Sequence, residues 1–138
     1  MKKVSDRGRL RKEIGRLHKL ILLEQRGYVD EICGERSNNP DDFARFHILT
    51  VASMPKLEFR NENVLLYLKS HWWVCHEPYH HDRDGKLGQK IMKRIIELRG
   101  ENYKQELRFI AQYIGRMNGL YLLALKDAFK KEIGELRG

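Results

Sequence analysis

Helical spacing governs both ends of this chain and breaks down in its middle, and that interruption constrains the fold more than any other feature. From Ser5 to about Gln25 the apolar residues Leu10, Ile14, Leu17 and Ile21 recur every three or four positions, the period of one helix face. Ser5 can cap the start of this helix and Gly27 can stop it. From Lys86 the same period returns as Leu87, Ile91, Ile95 and Leu98, ended by Gly100. A second stripe then runs through Tyr103, Leu107, Ile110, Ile114, Met117 and Tyr121 to Phe129 and Ile133. Gly115 and Gly119 weaken its middle, so one long helix or two shorter ones both fit.

Residues 28–84 follow neither period for long. A Cys33-Gly34 step resembling half of a zinc knuckle precedes the polar turn Ser37–Asp42. Two β-type runs follow, Phe43–Val51 and Asn63–Leu68, separated by an irregular loop carrying Pro55. His71–Asp82 reads as a short helix limited by Pro78, and Asp84-Gly85 as a turn. The expected class is therefore α+β. A small core over 28–84 is flanked by a helix over 1–27 and by helices over 85–138, all in one domain of 138 residues.

Charge narrows the partners. The chain has 27 Lys and Arg against 19 Asp and Glu, a net charge of +8, which favours polyanions. Between the apolar positions of the first helix lie Arg7, Arg9, Arg11, Lys12, Arg16 and Lys19, a basic face suited to phosphate contacts. No apolar run approaches the ~20 residues needed to span a bilayer, and the basic N-terminus lacks the features of a signal peptide. The expected location is the cytoplasm, where Cys33 and Cys75 stay reduced.

Five of the six histidines fall between Phe46 and Asp82: His47, His71, His76, His80 and His81. Phosphodiester hydrolysis needs an activated water and relief of charge on the leaving oxygen. His47 at a strand end can take the proton, and Asn63 can orient its ring or bind the metal. His76 and His80, four apart on a helix, can grip one divalent ion, Mg²⁺ or a transition metal. His18 lies outside this group and is expected on the surface.

On these residues the chain resembles a known family. Ile32-Cys33-Gly34, Phe46-His47-Ile48, the run Pro55-Lys56-Leu57-Glu58-Phe59, Asn61-Glu62-Asn63-Val64 and Val74-Cys75-His76 together look like the HNH (His-Me finger, ββα-metal) core of phage recombination nucleases of the NinG/Rap type. The resemblance covers residues 30–81 by motif and the flanking helices by layout. It implies a DNA endonuclease of phage-type recombination, acting on branched DNA in the host cytoplasm. Two sites, and so a homodimer, would be needed to cut both strands.

The chain departs from that pattern at three positions. Asp30 and Trp72 stand where the family has the first cysteine of each pair, so four thiolates for a structural Zn²⁺ are not expected. Asp30 or His71 is left to complete a mixed site with Cys33 and Cys75. Without zinc, Trp72 and Trp73 would have to hold the two knuckles together. Phe46 replaces the acidic or histidine ligand that precedes the base in many HNH nucleases. The alternative function is thus a catalytically inactive DNA- or RNA-binding protein on a degenerate HNH scaffold. A third reading makes the Leu107–Ile133 stripe a dimer face.

Overall fold

A two-stranded antiparallel sheet organises the molecule, with helices on both of its faces. The structure is a computed structural model describing residues 2–138, with side chains from Asp6 onward. Strand β1 (Phe43–His47) pairs with β2 (Val64–Leu68), Phe43 opposite Leu68 and His47 opposite Val64. All five residues of β2 are buried. Alternation explains this: successive side chains leave a strand on opposite faces. Val64, Leu66 and Leu68 pack with Phe43 against Leu22 and Leu23 of helix α1 (Lys2–Arg26). Leu65 and Tyr67 point the other way, into the main core with Phe46, Tyr79, Ile91, Ile95, Tyr103 and Leu107.

Helix α1 therefore lies on the body of the protein and is not a projecting arm. Its Ile14, Leu17 and Ile21 meet Leu122 and Ile133 of the last helix. Gly15 is where Arg45 crosses α1; a Cβ there would sit 2.5 Å from the Arg45 guanidinium. The helix is already formed at Lys2, so Ser5 lies inside it. Gly27, at φ 89°, ends it as expected, its N–H bonding Leu23 O.

After β2 the chain turns through Lys69–His71 and a π-helical turn, Trp72–His76, into the short helix α2 (Glu77–His81), where Pro78 occupies the first turn. Helices α3 (Lys86–Arg99), α4 (Tyr103–Gln112) and α5 (Gly119–Arg137) complete the chain. Gly100, at φ 98°, closes α3 as the sequence pattern suggests. The second stripe is split into two helices, and Asn118 caps α5 by accepting the N–H of Tyr121.

Other expectations are corrected by the structure. The first strand ends at His47 instead of Val51, because Leu49 pairs with the Asn63 side chain and Thr50–Met54 closes a turn. His18 is fully buried, not on the surface. Trp72 and Trp73 are exposed, 40% and 71%, so they do not pack the knuckles together. The stripe proposed as a dimer face is largely consumed within the chain: Leu107 sits in the main core, and Leu122 and Ile133 pack on α1. Among the described residues no helix is long and apolar enough to cross a membrane.

Candidate functional site

Two clusters of side chains of metal-ligating type lie near the sheet. In the first, Asp30 and Cys33 come from the turn after α1, and His71 and Cys75 from the turn leading into α2. Their ligand atoms all lie within 4.8 Å of one another, so the group could hold a metal ion. His71 Nδ1 is 3.3 Å from Cys33 Sγ, 3.9 Å from Cys75 Sγ and 3.3 Å from Asp30 Oδ2. A tetrahedral ion with metal–sulfur bonds of ~2.3 Å and metal–nitrogen or –oxygen bonds of ~2.0–2.1 Å requires ligand–ligand edges of about 3.3–3.8 Å. The spacings to Cys33 and Asp30 fall within those edges, and the 3.9 Å to Cys75 Sγ lies just beyond them.

The surroundings orient each ligand. The other ring nitrogen of His71, Nε2, is 2.6 Å from the Glu35 carboxylate, which puts its proton there and leaves the Nδ1 lone pair facing the cluster. Asp30 is fully buried, and its Oδ1 accepts the N–H groups of Ile32 and Cys33. Its Oδ2 accepts the N–H of Leu68 and faces His71. Burial, followed for Cys75 by the charge of Asp30, raises the proton affinity of both thiols. A bound cation would reverse that by favouring thiolates. His71 is thus placed to serve as one of the four donors of this group. The next residue in the chain, Trp72, is exposed to solvent.

The second cluster contains His47, His76 and His80. His47 Nε2 donates to Glu58 O at 3.0 Å, since a carbonyl only accepts, and its Nδ1 therefore carries the lone pair. Arg45 Nη1 donates to the same carbonyl at 3.0 Å and to Nδ1 of His18 at 3.1 Å. Burial, then the charge of Arg45, lowers the His47 pKa to about 4. Burial, then His80 and His47, does the same to His76, also to about 4, and burial lowers that of His80. All three rings are neutral at pH 7. His76 is enclosed by aromatic rings: Trp72 at 4.3 Å, Tyr67 at 4.8 Å and Phe46 at 4.9 Å between centroids. Its Nδ1 is buried without a hydrogen-bond partner. His80 lies 5.2 Å from His76 and 5.3 Å from Phe46.

Asn63 is fully buried and bonded to the loop after β1. Its Oδ1 accepts the N–H of Leu49, and its Nδ2 donates to the carbonyls of Leu49 and Leu57. It therefore fixes the path of the chain leaving His47, while Glu58 O holds the ring. Both ends of the Asn63 amide are thus taken by backbone groups, and among the described residues no hydrogen bond joins it to the His47 ring. Among the described residues the Asp30 group alone reaches the 4.8 Å spacing; His47, His76 and His80 do not close to it.

The basic face of α1 adjoins this second cluster. Arg11 makes two bonds to the Glu58 carboxylate, at 2.6 and 3.0 Å. Lys19 reaches Phe43 O and Arg7 reaches Met117 O. Arg9, Lys12 and Arg16 are exposed and make no hydrogen bond or ion pair among the described residues. Sequence reasoning missed Glu35, Arg45 and Glu58, because each acts through a contact that exists only once the chain is folded. Comparison of the chain with protein-family profiles, with curated proteins and with solved structures finds no match.

Proposed function

We propose that this protein is a metal-dependent endonuclease of the HNH type acting on DNA. One observation carries the reading: His47, at the end of β1, has its Nε2 proton committed to Glu58 O and so keeps its Nδ1 lone pair free, and it lies close enough to His76 and His80 for their charges to act on one another. His47 Nδ1 would accept a proton from the attacking water as its oxygen bonds to phosphorus and the bond to the leaving oxygen breaks. Arg9, Lys12 and Arg16 would hold flanking phosphates. A divalent metal on His76 and His80 would supply charge relief for the leaving oxygen. Imidazoles without a carboxylate suit a transition metal better than Mg²⁺. The Asp30, Cys33, His71 and Cys75 group we assign to a structural Zn²⁺, whose preference for sulfur, nitrogen and a tetrahedral shell fits this donor set.

Cleavage of supercoiled plasmid and of a branched duplex, with Mg²⁺, Mn²⁺, Zn²⁺ or EDTA, tests the reading. The expected result is metal-dependent nicking that falls about 10²–10⁴-fold in His47→Ala with DNA affinity retained. Equal cleavage by His47→Ala would sink it. A second reading, binding without cleavage, is favoured by Phe46: its fully buried ring packs 4.9 Å from the His76 ring and 5.3 Å from the His80 ring between centroids, and offers no donor atom for a metal. That reading predicts salt-sensitive DNA binding with no nicking under any metal.

A further inference from the structure

Arg45 is a cation in the middle of a strand that packs on both faces. It lies two residues before His47 on β1, so the two side chains leave the strand on the same face, the one that Phe43 turns toward α1. It is half-buried, with its guanidinium carbon 5.3 Å from the centroid of the Phe59 ring. Among the described residues it forms no ion pair, and the nearby Glu58 carboxylate is taken by Arg11. A buried cation without a carboxylate needs another reason to be where it is.

Helix α1 supplies a seat for it. Gly15 lies against the guanidinium, where a Cβ would sit 2.5 Å from Nη2 and 3.2 Å from Cζ. Three residues on, His18 offers an acceptor: Arg45 Nη1 donates to its Nδ1 at 3.1 Å. A guanidinium only donates, so the His18 proton is on Nε2, which donates to Asn61 Oδ1 at 2.8 Å. The His18 ring is fully buried and stacks on Phe129 of α5 at 5.5 Å between centroids. Burial holds its pKa down to about 3, so it meets Arg45 as a neutral ring.

The same Nη1 donates to Glu58 O at 3.0 Å, and His47 Nε2 donates to that oxygen at 3.0 Å. The two donors use the two lone pairs of one carbonyl. Among the described residues that oxygen is the one hydrogen-bond partner of the His47 ring, and it belongs to the irregular stretch between the strands. What fixes the oxygen therefore fixes the ring.

We propose that Arg45, seated by Gly15 and His18, is the positioning residue for His47: it pins the Glu58 carbonyl and so keeps the His47 proton on Nε2 and the lone pair on Nδ1. This deepens the nuclease reading, on which it rests for what the ring does. The experiment reads the tautomer itself, whether or not the protein cleaves DNA. The full-length chain is labelled with ¹⁵N-histidine, and long-range ¹H–¹⁵N spectra are recorded at neutral pH, with the His47 pattern assigned by its loss in His47→Ala.

The wild type is expected to show the His47 proton on Nε2. Arg45→Met removes the guanidinium and keeps apolar bulk. Gly15→Ala alters no residue that bonds His47 or Glu58 but drives a methyl into the guanidinium, at a helical position where alanine is otherwise favoured. Both variants are expected to show a mixture of the two His47 tautomers. Cleavage by Arg45→Met should fall about 10²-fold, the scale of a small misplacement of a reacting group, with DNA affinity retained. Far-ultraviolet circular dichroism identifies the variants that fold, and Gly15→Ala decides alone if Arg45→Met does not. A His47 that keeps its Nε2 proton in every variant that folds would overturn the proposal and leave the nuclease reading standing. Mixed tautomers in the variants, with no cleavage by the wild type under any metal, would sustain the positioning and overturn the nuclease reading. A wild-type proton on Nδ1 would overturn both.

Discussion

The two side-chain clusters use the same residue types in opposite ways. Around Asp30, Cys33, His71 and Cys75, polar contacts aim two of the donors: two backbone N–H groups on one Asp30 oxygen, a third on the other, and Glu35 on the far nitrogen of His71. Around His76 and His80 the neighbours are Phe46, Tyr67, Trp72 and Tyr79, which supply dispersion but no aim, and His76 Nδ1 is left without a partner. A ligand set is built by its outer contacts as much as by its ligands. The first cluster has those contacts and the second has them only at His47. The first is therefore ready to clamp the fold, and the second depends on what enters it.

The largest expected effect would break this comparison at the first cluster. With free Zn²⁺ at about a thousand times its dissociation constant, binding stabilises the folded chain by about 4 kcal/mol, or about 10–15 °C in Tm at this size. EDTA should remove that increment from the wild type and nothing from Cys75→Ser, followed by differential scanning fluorimetry. A wild-type Tm indifferent to EDTA and to added Zn²⁺ would show that the four side chains are held by hydrogen bonds alone. Co²⁺ substitution sharpens the test, because two thiolates give a charge-transfer band that Cys33→Ser should halve.

Much of this arrangement could be seen in the sequence, and the part that could not has a physical cause. Helical period located α1, α3 and the two C-terminal helices, because burial of one face leaves a trace every three or four residues. The β-type runs located the hairpin, and Gly27 and Gly100 their helix ends. Cys33 and Cys75 stood out by rarity, and Asp30 and His71 by position beside them. His18 was misplaced because its neighbours in sequence are Arg16 and Lys19, whereas its bonds are to Asn61 and Arg45, 43 and 27 residues away. Trp72 and Trp73 were misplaced for the converse reason. An apolar residue is expected inward, and the π-helical turn that sends Cys75 inward leaves both tryptophans out.

The second cluster is expected to reveal itself in acid. His47 and His76 have folded pKa values of about 4 against about 6.5 in an unfolded chain. The unfolded state therefore binds the extra protons between those values, and stability falls as pH drops below 6.5 toward 4. Each half-buried ring contributes of the order of 1–2 kcal/mol of this loss between pH 7 and 5. Urea unfolding at the two pH values should show it, and His76→Gln should flatten the slope. An identical slope in His76→Gln would mean that the ring is protonated in the folded state and the aromatic enclosure is open to water. If His47 is the base, cleavage should likewise persist down to a pH well below the usual histidine range.

The smallest effect is the most informative about why one cluster is wired and the other is not. Glu35 touches no metal in the proposed site; it holds the Nε2 proton of His71 at 2.6 Å and so keeps the Nδ1 lone pair turned inward. Glu35→Gln keeps the length of the side chain and removes its charge. Zn²⁺ affinity, measured by competition with a chromogenic chelator, should fall about tenfold, the low end for loss of an outer-shell carboxylate. Because Glu35 is largely exposed, the Tm of the metal-free chain should not move. A merely structural ion pair would give the reverse pattern, a lower metal-free Tm with affinity intact. Only the first result assigns Glu35 to the metal, and it would place the difference between the two clusters in their outer contacts and not in their ligands.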